Sequence, residues 1–200
     1  MLELKKVAIT GNLNSGKTTV LKLLEEYGAF VLSADQIVQD LLKKPQIIQS
    51  IKDLFGKSCI DSNGLIDKAR LSEIVFRDEK SLSMLEDLLH PEVLKVIQDE
   101  YKAKMKSFGQ EKIFAVEVPL LFEAGWQNWF DQIILVIADK EVRQKRYVEQ
   151  GKTIEQFLER SKRQIDPLVA KKSSQELIEN NGSMLDLKMQ VQTLIKKLKT

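Results

Sequence analysis

Cysteine and histidine are nearly absent. Cys59 and His90 are the only ones in 200 residues. A lone cysteine cannot close a disulfide within the chain, and no zinc cluster can be assembled. This usage suits a reducing cytosol. A surplus of either charge is missing too: 31 lysines and arginines stand against 29 acidic residues, for a net charge of +2. A dedicated nucleic-acid binder would carry a clear basic excess, so no nucleic-acid partner is expected. No apolar run is long enough to span a bilayer. The N-terminus, Met1-Leu2-Glu3-Leu4-Lys5-Lys6, lacks the charged start, long apolar stretch and small-residue cleavage site of a signal peptide. Internal repeats, linkers and low-complexity stretches are also missing. The expectation is a cytoplasmic protein with no membrane partner, a monomer or weak homo-oligomer.

Hydrophobic residues make up 43% of the chain and charged residues 30%, enough for a core and a soluble surface. The length suits one domain with a mobile sub-domain. Short apolar runs at Val7–Thr10, Ala29–Leu32, Ile113–Val118 and Ile133–Ile137, with a weaker one at Glu176–Glu179, predict five strands. The fourth is β-branched and almost wholly apolar, as a strand buried on both faces should be. Helical patterns lie between them. One starts near Lys17 and closes at Tyr27-Gly28, and one opens at Asp35 and stops at Pro45. Residues 46–108 read as mainly helical, with a long helix from Met84 to Met105 broken near His90-Pro91. Asp139–Gln164 and Met184–Leu198 read as helices as well. Strands alternating with helices imply an α/β fold with a mostly parallel sheet covered on both faces.

Gly11-Asn12-Leu13-Asn14-Ser15-Gly16-Lys17-Thr18 fits the phosphate-loop (P-loop) pattern, at a predicted strand-to-helix junction. Backbone N–H groups of such a loop wrap a β-phosphate, and the helix that follows points its positive end at the anion. Gly16 lets the main chain approach closely. Lys17 reaches the β- and γ-phosphates, and the Thr18 hydroxyl ligates Mg²⁺. Asn12 and Asn14 stand where many such loops carry glycine, and asparagine tolerates left-handed backbone better than most residues.

Asp61-Ser62-Asn63-Gly64 resembles a GTPase motif, but it lies inside the helical insert and no N-K-x-D guanine motif exists. It reads as a turn. A small-molecule kinase needs a group to orient the acceptor hydroxyl, cations for the phosphoryl group and a lid. Asp35, just past the second strand, supplies the first or merely caps a helix; position alone does not choose between these roles. Lys140–Arg163 holds eight basic residues against four glutamates. A solvated helix face accounts for most of them, and Arg146 is the one favoured as a phosphate clamp.

Taken in order, these motifs resemble the dephospho-CoA kinase family. The residues that carry the resemblance are Gly11–Thr19, Ser33-Ala34-Asp35-Gln36-Ile37, Gly64-Leu65-Ile66-Asp67, Ile74-Val75-Phe76, Leu89-His90-Pro91, Val118–Glu123, Arg146, Gln164 and Asn180-Asn181-Gly182. The resemblance runs from Val7 to about Leu194. It implies a P-loop NTPase three-layer sandwich with a five-stranded parallel sheet, a helical acceptor-binding insert and a helical lid. Core segments would be 5–35, 110–138 and 174–200, the insert 36–109 and the lid 139–173. The implied reaction is phosphorylation of the ribose 3′-hydroxyl of dephospho-CoA by ATP with Mg²⁺.

By the same resemblance Asp35, Lys17 and Arg146 are the catalytic candidates. Gly11, Asn14, Ser15, Gly16, Lys17, Thr18, Thr19 and Asn181 would bind ATP, Asn181 near the adenine unless it is only a turn residue. Asp35, His90, Pro119, Leu120, Leu121 and Glu123 would face the acceptor, although the residues themselves favour His90 as a helix-break residue bonded to backbone. Thr18 and Glu117 would hold the metal, with a plain strand-end carboxylate as the other reading of Glu117. Ser33, Lys68 and Gln150 depart from the family pattern, where Asp, Arg and Arg are usual. A nucleoside or nucleotide monophosphate kinase and a nucleotide-binding switch without phosphoryl transfer are the alternatives.

Overall fold

Among the described residues five strands form: β1 (Lys5–Gly11), β2 (Phe30–Ser33), β3 (Ile113–Glu117), β4 (Gln132–Ile137) and β5 (Glu176–Glu179). All pair in parallel, in the order β2-β3-β1-β4-β5. The computed structural model describes residues 4–106, 112–162, 164 and 167–199. Phe108, at the end of the predicted helical stretch, and Arg163 of the basic segment lie outside the described residues. The helices are α1 (Lys17–Glu26), α2 (Ala34–Leu41), α3 (Pro45–Phe55), α4 (Lys68–Val75), α5 (Glu79–Lys106), α6 (Lys140–Glu149), α7 (Ile154–Ser161), α8 (Pro167–Lys172) and α9 (Met184–Leu198). Among the described residues no helix is long and apolar enough to cross a membrane.

The chain divides into two compact units. One comprises residues 1–33 and 104–200, the other residues 34–103. The first holds the whole sheet. Strand side chains alternate between its faces, and both faces are dry. Val7, Ile9, Ala115, Ile134 and Val136 pack with Val20 and Leu24 of α1 and with Val191 and Leu194 of α9. On the other face Ala8, Phe114, Val116, Ile133 and Leu135 are buried too. There Phe114 stacks on Phe30 and meets the edge of Trp129, with ring centroids 5.2 and 6.4 Å apart. The connection from β1 runs to β2 on one side and that from β3 runs across to β4 on the other, so the direction reverses between the adjacent strands β1 and β3. The crevice outside the carboxyl ends of strands at such a switch point is where open α/β sheets bind ligands.

In the second unit, the helix expected to stop at Pro45 ends at Leu41, and Pro45 opens α3 as its first residue. Proline suits that position because the amide it lacks would have no helical partner there. Asp61–Gly64 is a turn: the Asp61 carboxylate accepts from the Asn63 and Leu65 amides at 2.8 and 2.9 Å. The break expected near His90-Pro91 does not occur, since α5 runs through Pro91 unbroken. Pro91 forfeits one helical hydrogen bond, while Leu89, Val93 and Ile97 bury a continuous stripe at four-residue spacing.

The charged segment after β4 is two helices where one was expected. α6 ends before Gln150-Gly151, and a capping box restarts the chain: Thr153 accepts from the Gln156 amide, and the Gln156 side chain accepts from the Thr153 amide. α8 follows without having been anticipated. α9 has the predicted bounds and its own capping box, formed by Ser183 and Asp186.

Candidate active site

The phosphate-loop pattern occupies the turn between β1 and α1. Its two glycines are fixed by their surroundings. Gly11 pairs with Val136 of β4, and a Cβ on it would run into the Val136 carbonyl oxygen. Gly16 caps α1 with φ 100°, and a Cβ there would meet Nδ2 of Asn180. Asn14 adopts φ 58°, the only left-handed non-glycine among the described residues, and asparagine accepts that conformation more readily than most. No side chain caps the start of α1, so its positive end stands open to an anion. Thr19 lies in the first turn, its amide bonded to the Gly16 carbonyl at 3.0 Å.

Lys17 is only 7% exposed. Its Nζ donates to the carbonyls of Gly11 and Asn12 at 2.9 and 3.0 Å, so the ammonium lies across the mouth of the loop. The Thr18 hydroxyl donates to Glu117 Oε1 at 3.0 Å. Glu117 is buried at the end of β3, in register with Ile9 of β1. Ser15 Oγ and Asn14 Nδ2 are buried without a hydrogen-bond partner among the described residues. Buried polar atoms rarely go unpaired in finished structures, so the loop has polar capacity to spare for a ligand.

Arg146, on α6, is tied to this loop. Its Nη2 donates to the Asn180 carbonyl at 2.9 Å, and Nη1 lies 3.4 and 3.5 Å from the Ser15 and Asn14 carbonyls. Arg143, one turn earlier, donates from Nε to the Ala138 carbonyl at 3.0 Å and packs over the Phe157 ring. Burial holds its guanidinium below the usual arginine range, and its Nη1 has no partner among the described residues. Asn181 sits just past β5, exposed, and its Oδ1 accepts from the Asp139 amide at 2.7 Å.

Two contacts escaped the sequence reading. Asn180 is buried and donates from Nδ2 to the Ser15 carbonyl at 2.8 Å. Gln164 Oε1 accepts from the Leu13 amide at 2.7 Å. Both residues belong to the motifs that carried the family resemblance, but no local pattern gave them a partner.

Pro119–Glu123 forms turns beyond β3, secured by Val118 N–H to the Ile9 carbonyl at 2.9 Å and Trp126 N–H to the Leu121 carbonyl at 3.1 Å. Pro119 and Glu123 line a crevice with Gly11, Asn12 and Gln164 that has room for little more than a water. Leu120 is half-buried and Leu121 has no exposed surface; Leu121 is a core residue of the segment. Two sequence candidates belong to the second unit. α2 begins at Ala34, which makes Asp35 an exposed acid of its first turn rather than the residue preceding it. His90 is half-buried in α5.

Residues 5–186 match the family model described as dephospho-CoA kinase. A dephospho-CoA kinase of Protochlamydia amoebophila is 39% identical over 201 aligned positions, which take in all of this chain and 98% of that protein. Among solved structures, TT1252 from Thermus thermophilus superposes with a TM-score of 0.83 at 30% identity, covering 98% of both chains. Dephospho-CoA kinase from Campylobacter jejuni superposes with a TM-score of 0.72 at 25% identity, covering 97% of this chain and 96% of that one. Sequence similarity end to end and the same sheet architecture agree, and the chain belongs to the dephospho-CoA kinase family.

Proposed function

We propose that this chain transfers the γ-phosphoryl group of ATP to the ribose 3′-hydroxyl of dephospho-CoA, releasing CoA and ADP in the last step of coenzyme A synthesis. The observation that carries this reading is the family match over residues 5–186. In the step, the 3′-oxygen bonds to the γ-phosphorus as the bond to the β–γ bridging oxygen breaks. ADP leaves with that electron pair, and the hydroxyl proton passes to the Asp35 carboxylate. Residues 11–18 hold the phosphates, with Lys17 and Arg146 supplying positive charge where negative charge is transferred. Positioning and charge stabilisation dominate, since little covalent work falls to the protein.

The oxygens of Thr18 and Glu117 fit a hard cation, because a hydroxyl and a carboxylate lie within hydrogen-bond distance of each other at the loop. Those two residues would hold Mg²⁺, directly or through water, and the ion would offset phosphate charge when bound. Residues 36–109 act as the acceptor insert, where His90 contributes, and residues 139–173 as the lid. Pro119, Leu120 and Glu123 line the acceptor side, Leu121 supports them from the core, and Asn181 stands near the adenine. The lone buried cysteine suits a cytoplasmic enzyme, acting as a monomer or weak homo-oligomer.

An acceptor panel tests the proposal. Purified protein with Mg-ATP is offered dephospho-CoA, AMP, CMP and shikimate, and ADP release is followed with product identified by mass. CoA formation is expected. Turnover of another acceptor with none of dephospho-CoA overturns the substrate, and ATP binding without transfer to any acceptor leaves a nucleotide-binding switch.

A further inference from the structure

Asn180 lies one residue beyond β5, where its amide donates to the Ile137 carbonyl at 2.8 Å and prolongs the β4–β5 pairing. From this anchored position its side chain reaches past β4 to the loop that follows β1. Nδ2 donates to the Ser15 carbonyl at 2.8 Å. Arg146 braces the same corner from α6 through the Asn180 and Ser15 carbonyls. Ser15 is fully buried and Asn180 is 7% exposed, so water competes little for these bonds.

The peptide linking Ser15 to Gly16 is trans, as no cis bonds occur among the described residues. In a trans peptide the C=O and N–H point in opposite directions. Holding the Ser15 carbonyl toward Asn180 therefore aims the Gly16 N–H away from it. That N–H opens α1 and has no partner among the described residues. The space on the Asn180 side of Gly16 is filled by the same amide, which is why no Cβ fits there.

We propose that Asn180 is a positioning residue for the phosphate loop: its amide fixes the Ser15–Gly16 peptide so that the Gly16 N–H is presented to the nucleotide's phosphates. This inference rests on the loop binding ATP as proposed above. Asn180 touches no phosphate itself and acts through one peptide plane, from the opposite end of the chain.

Two variants separate the donated hydrogen from side-chain bulk. Asn180→Ala removes the amide, while Asn180→Asp keeps its shape and turns an acceptor toward the Ser15 carbonyl. The loss of one such bond corresponds to about a five- to tenfold rise in KM for ATP. Asn180→Asp is expected to do at least as badly as Asn180→Ala, with KM for dephospho-CoA within about twofold of wild type. Titration with ADP should show the same weakening, while the affinity for adenosine, which has no phosphate, stays unchanged. Normal KM for ATP in both variants, or equal losses for ADP and adenosine, overturns the role of Asn180. Should either variant not fold, Asn180→Leu, which keeps much of the bulk but has no donor, decides by the same ADP–adenosine comparison. A wild-type protein that binds no ATP overturns the functional reading and this inference together, whereas normal wild-type turnover beside unaffected variants removes only Asn180.

Discussion

Thr18 and Glu117, 99 residues apart in sequence, share a hydrogen bond of 3.0 Å at the carboxyl ends of two adjacent strands. β1 feeds the phosphate loop and β3 ends on the carboxylate, so their pairing at Ile9↔Glu117 sets the spacing of the two oxygens. Sheet register, more than the loop alone, thus places the pair that would meet the metal.

Glu117→Gln keeps the shape and the bond to Thr18 but discards the charge. Loss of such a partner typically costs about 10–100-fold in metal affinity or activity. The expected result is a lower rate at fixed Mg²⁺, with half-maximal activity moved to higher Mg²⁺. Initial rates across a Mg²⁺ titration measure this, and a curve superposing on wild type would reduce Glu117 to a structural strand end.

Gly11→Ala should damage the fold as well as the site. The new methyl would meet the backbone of β4 at Val136, where no side chain can turn aside. At φ 141° the backbone itself disfavours an L-residue. Strain and overpacking together are expected to cost at least about 2 kcal/mol. Urea unfolding gives the midpoint shift, and a shift near zero would mean that β1 and β4 can separate without penalty.

How much of this was legible in the sequence follows from the range of the contacts. All five strands and α9 were readable because burial imposes a period on neighbouring residues, and Met184–Leu198 carries both that period and a local capping box. The continuity of α5 through Pro91 was not, because a proline signals a break locally and only the packed Leu89, Val93 and Ile97 stripe overrides it. The loop announced itself by glycine and lysine spacing. Its brace did not: Asn180 and Ser15 stand 165 residues apart, and Gln164 and Leu13 stand 151 apart. Beside a turn, Asn181 looked the better candidate, whereas its side chain serves the Asp139 amide.

The α9 capping box makes stability depend on pH at the acid end. The Ser183 hydroxyl and amide both donate to the Asp186 carboxylate and hold its pKa below the ordinary value. A depressed folded pKa adds stability that is fully present above the unfolded carboxyl value, near pH 4, and is lost as pH falls through the folded value. Asp186→Asn should therefore lower the urea midpoint at neutral pH and shrink its fall below about pH 4. Midpoints measured across that range check this. An undiminished acid fall would assign it to the other lowered carboxylates, Asp40, Asp78 and Glu155.

Asp35→Asn separates two roles that position alone leaves level. As an acid in the first turn of α2, Asp35 stabilises the helix dipole by about 0.3–1 kcal/mol. As the group that receives the acceptor proton, it contributes about 10²–10⁴-fold to turnover. The variant keeps the side chain's size and its capacity to accept a hydrogen bond, so a purely structural residue would show a slightly lower thermal midpoint and normal kcat. The expected outcome is the reverse: kcat reduced by at least about 10²-fold, ATP affinity unchanged by titration, and an unfolding midpoint close to wild type. Retained turnover would leave the 3′-hydroxyl without its base and require another carboxylate, of which Glu123 lines the crevice beside Gly11 and Asn12.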